Sequence, residues 1–191
     1  MSFNNLSISR KLGLAFAAVV ATIIVICAII YWNLTRLERA TEAAAGASKA
    51  IDMITSAEFR LARQENSYRG FLLTNDAYYL DRLKSHREAF DTHLAELRRS
   101  QAGHENEAEI VARIDATMEK MNAWQREIVD EGVRLVADPI YRFKAIEMVG
   151  QNGIADGFMA PIEDALAAMH EEEQAEADEA ARLREAATWL T

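Results

Sequence analysis

The chain has 191 residues, 30 acidic against 21 basic side chains, a formal net charge of −9, two prolines and one cysteine. That acidity argues against partners rich in phosphate, namely nucleic acid and anionic headgroups, which need a cationic surface. A lone thiol, Cys27, excludes a disulfide framework, so any folded part must hold together by packing.

Residues 1–11 carry two charged side chains, Arg10 and Lys11. From Leu12 to Thr35 the next 24 residues have none. As a helix that run is about 36 Å long, more than the roughly 30 Å of a bilayer core. Eleven of its residues before Tyr31 are Leu, Ile, Val or Phe, and at about −0.5 kcal/mol each they favour insertion by about 5 kcal/mol. A cleaved signal peptide starts with the same positive charges, but its apolar core spans only about 7–15 residues and ends at a small-residue site. Here the run ends in Ile29, Ile30, Tyr31 and Trp32, and the two aromatic residues suit a membrane interface. It reads as an uncleaved transmembrane anchor over residues 12–35. No acidic residue precedes Glu38, so the positive-inside rule puts residues 1–11 in the cytoplasm and those after about 35 outside the membrane. The part that follows the anchor has a net charge of −11, from 30 acidic and 19 basic residues.

Beyond the anchor the apolar residues recur at helical steps, without alternating runs of strand type, which predicts an all-α fold. A first seam runs in steps of three and four from Leu37 through Ile54, Glu58, Leu61, Glu65 and Tyr68 to Leu72. Asn75 suits the left-handed residue that ends a helix, and Asp76 the cap of the next. A second helix, to about Gln101, carries Leu80, Leu83, Phe90, Leu94 and Leu97, and Ala102-Gly103-His104 breaks it. A third carries Val111, Ile114, Met118, Met121, Ile128 and Leu135, with Trp124 beside the stripe. Asp138-Pro139 predicts a short helix over residues 139–149. Gly150-Gln151-Asn152-Gly153 reads as a turn. The last helix runs from Met159 through Ile162, Leu166, Met169, Glu173, Glu176, Ala180, Leu183 and Ala187 to Leu190. Two long outer helices, two shorter inner ones and short turns predict an N-terminal transmembrane helix continuing into an up-down-up-down four-helix bundle over residues 36–188. Trp189 stands where a second span would enter an interface, so residues 189–191 read as the start of one, cut short.

Glu65-Asn66-Ser67-Tyr68-Arg69-Gly70-Phe71-Leu72-Leu73-Thr74-Asn75-Asp76 resembles the signature E-T-G-Q-R-G-[FY]-L-L-T-G-D of the third type of CHASE sensory domain, and Tyr79-Leu80 resembles the Tyr-Leu pair that follows it. Glu65, Arg69, Gly70, Phe71, Leu72, Leu73, Thr74 and Asp76 match, while Asn66, Ser67, Tyr68 and Asn75 depart. The likeness covers about residues 36–188, including a late helix near Ile162-Glu163-Asp164. It implies a four-helix extracytoplasmic domain of the kind found in histidine kinases, cyclases and methyl-accepting chemotaxis receptors. The opening Ile8-Ser9-Arg10-Lys11-Leu12-Gly13-Leu14-Ala15-Phe16 is similar to the start of many chemotaxis receptors and favours that output.

Polar residues that interrupt apolar seams are the candidate ligand or register residues: Glu58, Glu65, Arg69 and Arg87. Burying them unpaired is costly, so each must be paired, exposed or functional. Arg69, able to hold a carboxylate with two donors, ranks first for a ligand; its position four residues after Glu65 equally suits a helical ion pair. His86 and His93 are seven apart, too wide for one helix to chelate a metal. The acidic run from Glu171 through Glu173 to Glu179 reads as a solvated face, and Met118, Met121, Met159 and Met169 as core filling. No nucleophile elbow, phosphate loop or HExxH occurs, so neither enzyme activity nor a cofactor or metal is expected. The expected function is sensing, with output passed by helix displacement and with homodimerisation on the heptad seams. A bitopic tether that transmits nothing is the rival.

Overall fold

The computed structural model describes residues 7–103, 107–151 and 159–188. Its elements are α1 (Ile8–Thr74), α2 (Ala77–Ser100), α3 (Glu107–Trp124), a π-helical turn (Gln125–Val129), α4 (Asp130–Ala137), α5 (Arg142–Gln151) and α6 (Ala160–Thr188). No strand occurs among the described residues. The chain divides into two compact units, one of residues 1–45 with 177–191 and one of residues 46–176.

In the first unit, α1 contains a window of mean hydropathy 2.9, none of it buried by protein, and is long and apolar enough to cross a membrane. Leu12, Leu14, Val20, Ile24, Val25 and Ile29 point outward all round it. Water would penalise each of these side chains, whereas hydrocarbon accepts them. The hydroxyls agree: Thr22 donates to the carbonyl of Ala18 at 2.9 Å and Thr35 to that of Tyr31 at 3.0 Å. Neither hydroxyl needs water. Tyr31 and Trp32 are exposed at the end of the apolar stretch. Trp189 and Leu190 lie outside the described residues.

The second unit is a helical bundle whose cross-links fix its topology. Arg60 meets His86 across α1 and α2. Arg98 bonds Asp115 while Arg87 bonds Asn122, so α2 and α3 run antiparallel. Arg113 bonds Glu172 while Lys120 bonds the carbonyl of Pro161, so α3 and α6 do too. One continuous core joins Ile54, Leu61, Tyr68, Phe90, Met121 and Ile162.

Helix ends follow the expected chemistry. Asn75 has φ 59°, and its N–H donates to the carbonyl of Phe71 at 2.7 Å. Asp76 then caps α2 by accepting from the N–H of Tyr78 at 2.9 Å. Gly103 is left-handed at φ 86°; its neighbour His104 lies outside the described residues.

Three expectations need correction. Trp124 is not beside the stripe but fully buried, and α3 packs through Ile110, Ile114, Thr117, Met121 and Trp124, with Val111 and Met118 only half-buried. Ile110 and Val111 are both apolar, so period alone could not choose between them. Thr117 is admitted because its hydroxyl donates to the carbonyl of Arg113 at 2.8 Å. Secondly, the π-helical turn adds a residue to the cycle, and the buried position after it moves from Leu135 to Val136. Thirdly, the short helix begins at Arg142 rather than Pro139. Asp138 instead folds residues 138–141 into a turn, accepting from the N–H of Ile140 at 2.9 Å. Gly150 and Gln151 belong to α5, while Asn152 and Gly153 of the expected turn lie outside the described residues.

Candidate functional site

The motif from Glu65 to Asp76 builds the junction of α1 and α2. Phe71 and Leu72 are core residues, whereas Leu73 is exposed and offers its carbonyl to Arg142 at 2.9 Å. Thr74 donates to the carbonyl of Gly70 at 2.7 Å and accepts from the N–H of Asp76 at 3.2 Å, closing the turn. Gly70 is required by packing: a Cβ there would lie 2.5 Å from the ring of Tyr79. The ring of Tyr79 therefore packs closely against α1 at Gly70, and the first member of the Tyr-Leu pair explains the glycine of the motif.

Arg69 is ion-paired with Glu65 one turn earlier on the same helix. Arg87 is more deeply tied: its Nε donates to both Asp91 oxygens at 2.8 and 3.0 Å, and Nη2 donates to Asn122 at 2.6 Å. Glu58 is half-buried. The four sequence candidates are thus not gathered into one site, and Arg69 and Arg87 have partners within the bundle.

A different cluster stands between α1 and α2. A cleft of about 170 Å³ is lined by Arg63, Asn66, Ser67, Tyr79 and Arg82. Next to it, Arg60 approaches His86 Nδ1 at 3.3 Å, and His86 Nε2 is buried without a partner. The imidazole's pKa is depressed by burial first, and then by the positive charges of Arg60, Arg82 and Arg63. Sequence reasoning passed over these arginines because each is an ordinary surface residue of its own helix. The available signal was Arg60 and Arg63 together on a helix that meets Arg82.

Gln64 is fully buried, and neither amide atom is bonded among the described residues. At the opposite end of α2, Gln101 Nε2 donates to Glu173 Oε1 at 2.7 Å. Glu173 is the exception to the solvated acidic face: it is buried, while Glu172 pairs with Arg113. Burial, helped by the nearby charge of Glu176, pushes its carboxyl up to about 7, against the opposing hydrogen bond from Gln101. Among the described residues no group of three or more His, Cys, Asp and Glu is placed to hold a metal ion; His86 faces Arg60 instead.

Residues 40–182 match the family model described as the CHASE3 domain. No curated protein and no solved structure matches the chain.

Proposed function

Because the chain belongs to the CHASE3 domain family, the extracytoplasmic sensory domains of signalling receptors, we propose that residues 36–188 are the exterior sensing portion of a bacterial transmembrane receptor. The observation that carries this reading is the family match beginning at residue 40, directly after a helical stretch apolar enough to cross a membrane and unburied by protein. Residues 1–11 lie in the cytoplasm and residues 12–35 span the inner membrane. The matched domain is sensory rather than catalytic, so the activity is recognition followed by helix displacement. The basic opening at Arg10-Lys11 favours methyl-accepting chemotaxis output over a kinase or cyclase. The Glu65–Arg69 pair serves the register of the helices at the turn.

Such a receptor works as a parallel homodimer, because the membrane aligns two copies and the outer helices offer heptad seams. In a Cys27→Ala background, cysteines replacing the exposed residues Thr41, Glu42, Ala43, Ser48 and Lys49 around α1 should give oxidative cross-links in membranes at one face of the helix. Monomer at every position would favour the tether.

A further inference from the structure

We propose that the cleft between α1 and α2 lined by Arg63, Asn66, Ser67, Tyr79 and Arg82 is a binding site for a small oxyanion, a carboxylate or phosphate compound. Arg69, Arg87, Arg98, Arg113 and Arg134 each hold a carboxylate. Among the described residues Arg60, Arg63 and Arg82 hold none; Arg60 and Arg63 lie over the ring of Phe59, with Arg60 also meeting His86, and Arg82 lies over the ring of Tyr78 and donates to its hydroxyl at 3.0 Å. In a chain of net charge −9, acidic partners are plentiful. Three guanidinium groups left without one, around the half-buried imidazole of His86, therefore form a local positive field.

The cleft suits the ligand in size and chemistry. About 170 Å³ is the share of roughly six waters in the liquid, well below the roughly 300–1,000 Å³ of pockets for drug-sized ligands. Arg63 and Arg82 supply planar paired donors for an oxyanion. Asn66 adds a side-chain amide. Ser67 already donates to the carbonyl of Arg63 at 2.8 Å, which leaves its oxygen as an acceptor, so it shapes the wall. Tyr79, held against Gly70, forms a fixed apolar wall. An anion here would also offset the charges that depress the pKa of His86, so binding should raise that pKa.

The inference rests on the sensory reading for its purpose, but its test does not depend on signalling. Calorimetric titration of the full chain in detergent micelles with inorganic phosphate and with succinate separates the two sources of anion. At least one should bind at a single site and weaken with added salt. Arg63→Ala and Arg82→Gln, both at positions outside the core, should each reduce affinity about tenfold or more. Arg134→Ala, which removes an exposed, already paired guanidinium, should leave it unchanged. Circular dichroism of each variant checks that the helices persist. No binding of either anion, or equal weakening by Arg134→Ala, would overturn the site and leave the receptor reading standing. A shift in the His86 ring resonances on titration, absent in Arg82→Gln, would place the anion beside that imidazole.

Discussion

Gly132→Ala is expected to destabilise the bundle by about 3 kcal/mol, although alanine is the better helix former by about 1 kcal/mol. A Cβ at Gly132 would lie 1.8 Å from the hydroxyl of Tyr68. That hydroxyl cannot step aside without loss. Tyr68 is fully buried, its ring meets Trp124 edge-on with centroids 5.9 Å apart, and its oxygen donates to the carbonyl of Ile128 at 2.7 Å. Burial and the charge of Glu131 raise the phenol pKa far above neutrality, so the proton stays in place to be donated. The π-helical turn, the glycine and the tyrosine are one arrangement, in which the backbone from Gln125 to Val129 widens beside an inserted side chain. Gly46→Ala is the control: nothing lies within 4 Å of a Cβ there, so that change should stabilise by up to about 1 kcal/mol. Chemical denaturation of the two variants reads both effects. In a Tyr68→Phe background the cost of Gly132→Ala should shrink without vanishing, since the ring carbon that bears the hydroxyl would still lie 2.8 Å away. Full additivity of the two changes would show that they do not share this contact.

Glu173→Gln is expected to stabilise the chain above about pH 7 and to change little near pH 4.5. The wild-type carboxyl is raised from 4.5 to about 7 in the folded state. A raised pKa means that the folded chain binds the proton more tightly than the unfolded one, so the stability linked to Glu173 is fully present below the unfolded value. It declines as pH rises and is lost once pH passes the folded value. The difference between the limits is on the order of 3 kcal/mol. Glutamine keeps an acceptor for Gln101 without the charge that burial and Glu176 oppose. Thermal or denaturant unfolding from pH 4.5 to 8 should therefore show the two proteins converging at the acid end and separating at the alkaline end. Parallel curves across that range would contradict a buried, proton-holding Glu173.

Much of the bundle was legible because long helices advertise themselves. The seam from Ile54 to Leu72, the left-handed Asn75 and the Asp76 cap all follow from local chemistry that one stretch of sequence contains. What stayed hidden depends on two stretches meeting. The π-helical turn has no local signature, so periodicity points to Leu135 where α4 buries Val136. Glu173 looked like one more charge in an acidic run, because Gln101, its partner, lies 72 residues away. Among the candidate residues, Glu58 is half-buried. Arg69 and Arg87 have carboxylate partners within the bundle. The arginines around His86 interrupted no seam and were passed over.

The central claim, an anchored sensor facing outward, is tested most directly by labelling from one side of the membrane. In a Cys27→Ala background, Ser7→Cys and Thr92→Cys each place a single thiol at an exposed position, one before the apolar stretch and one on α2. Intact spheroplasts treated with a membrane-impermeant maleimide should label Thr92→Cys at once and Ser7→Cys only after lysis. Labelling of Ser7→Cys in intact spheroplasts, with Thr92→Cys protected, would contradict the topology and with it the receptor reading.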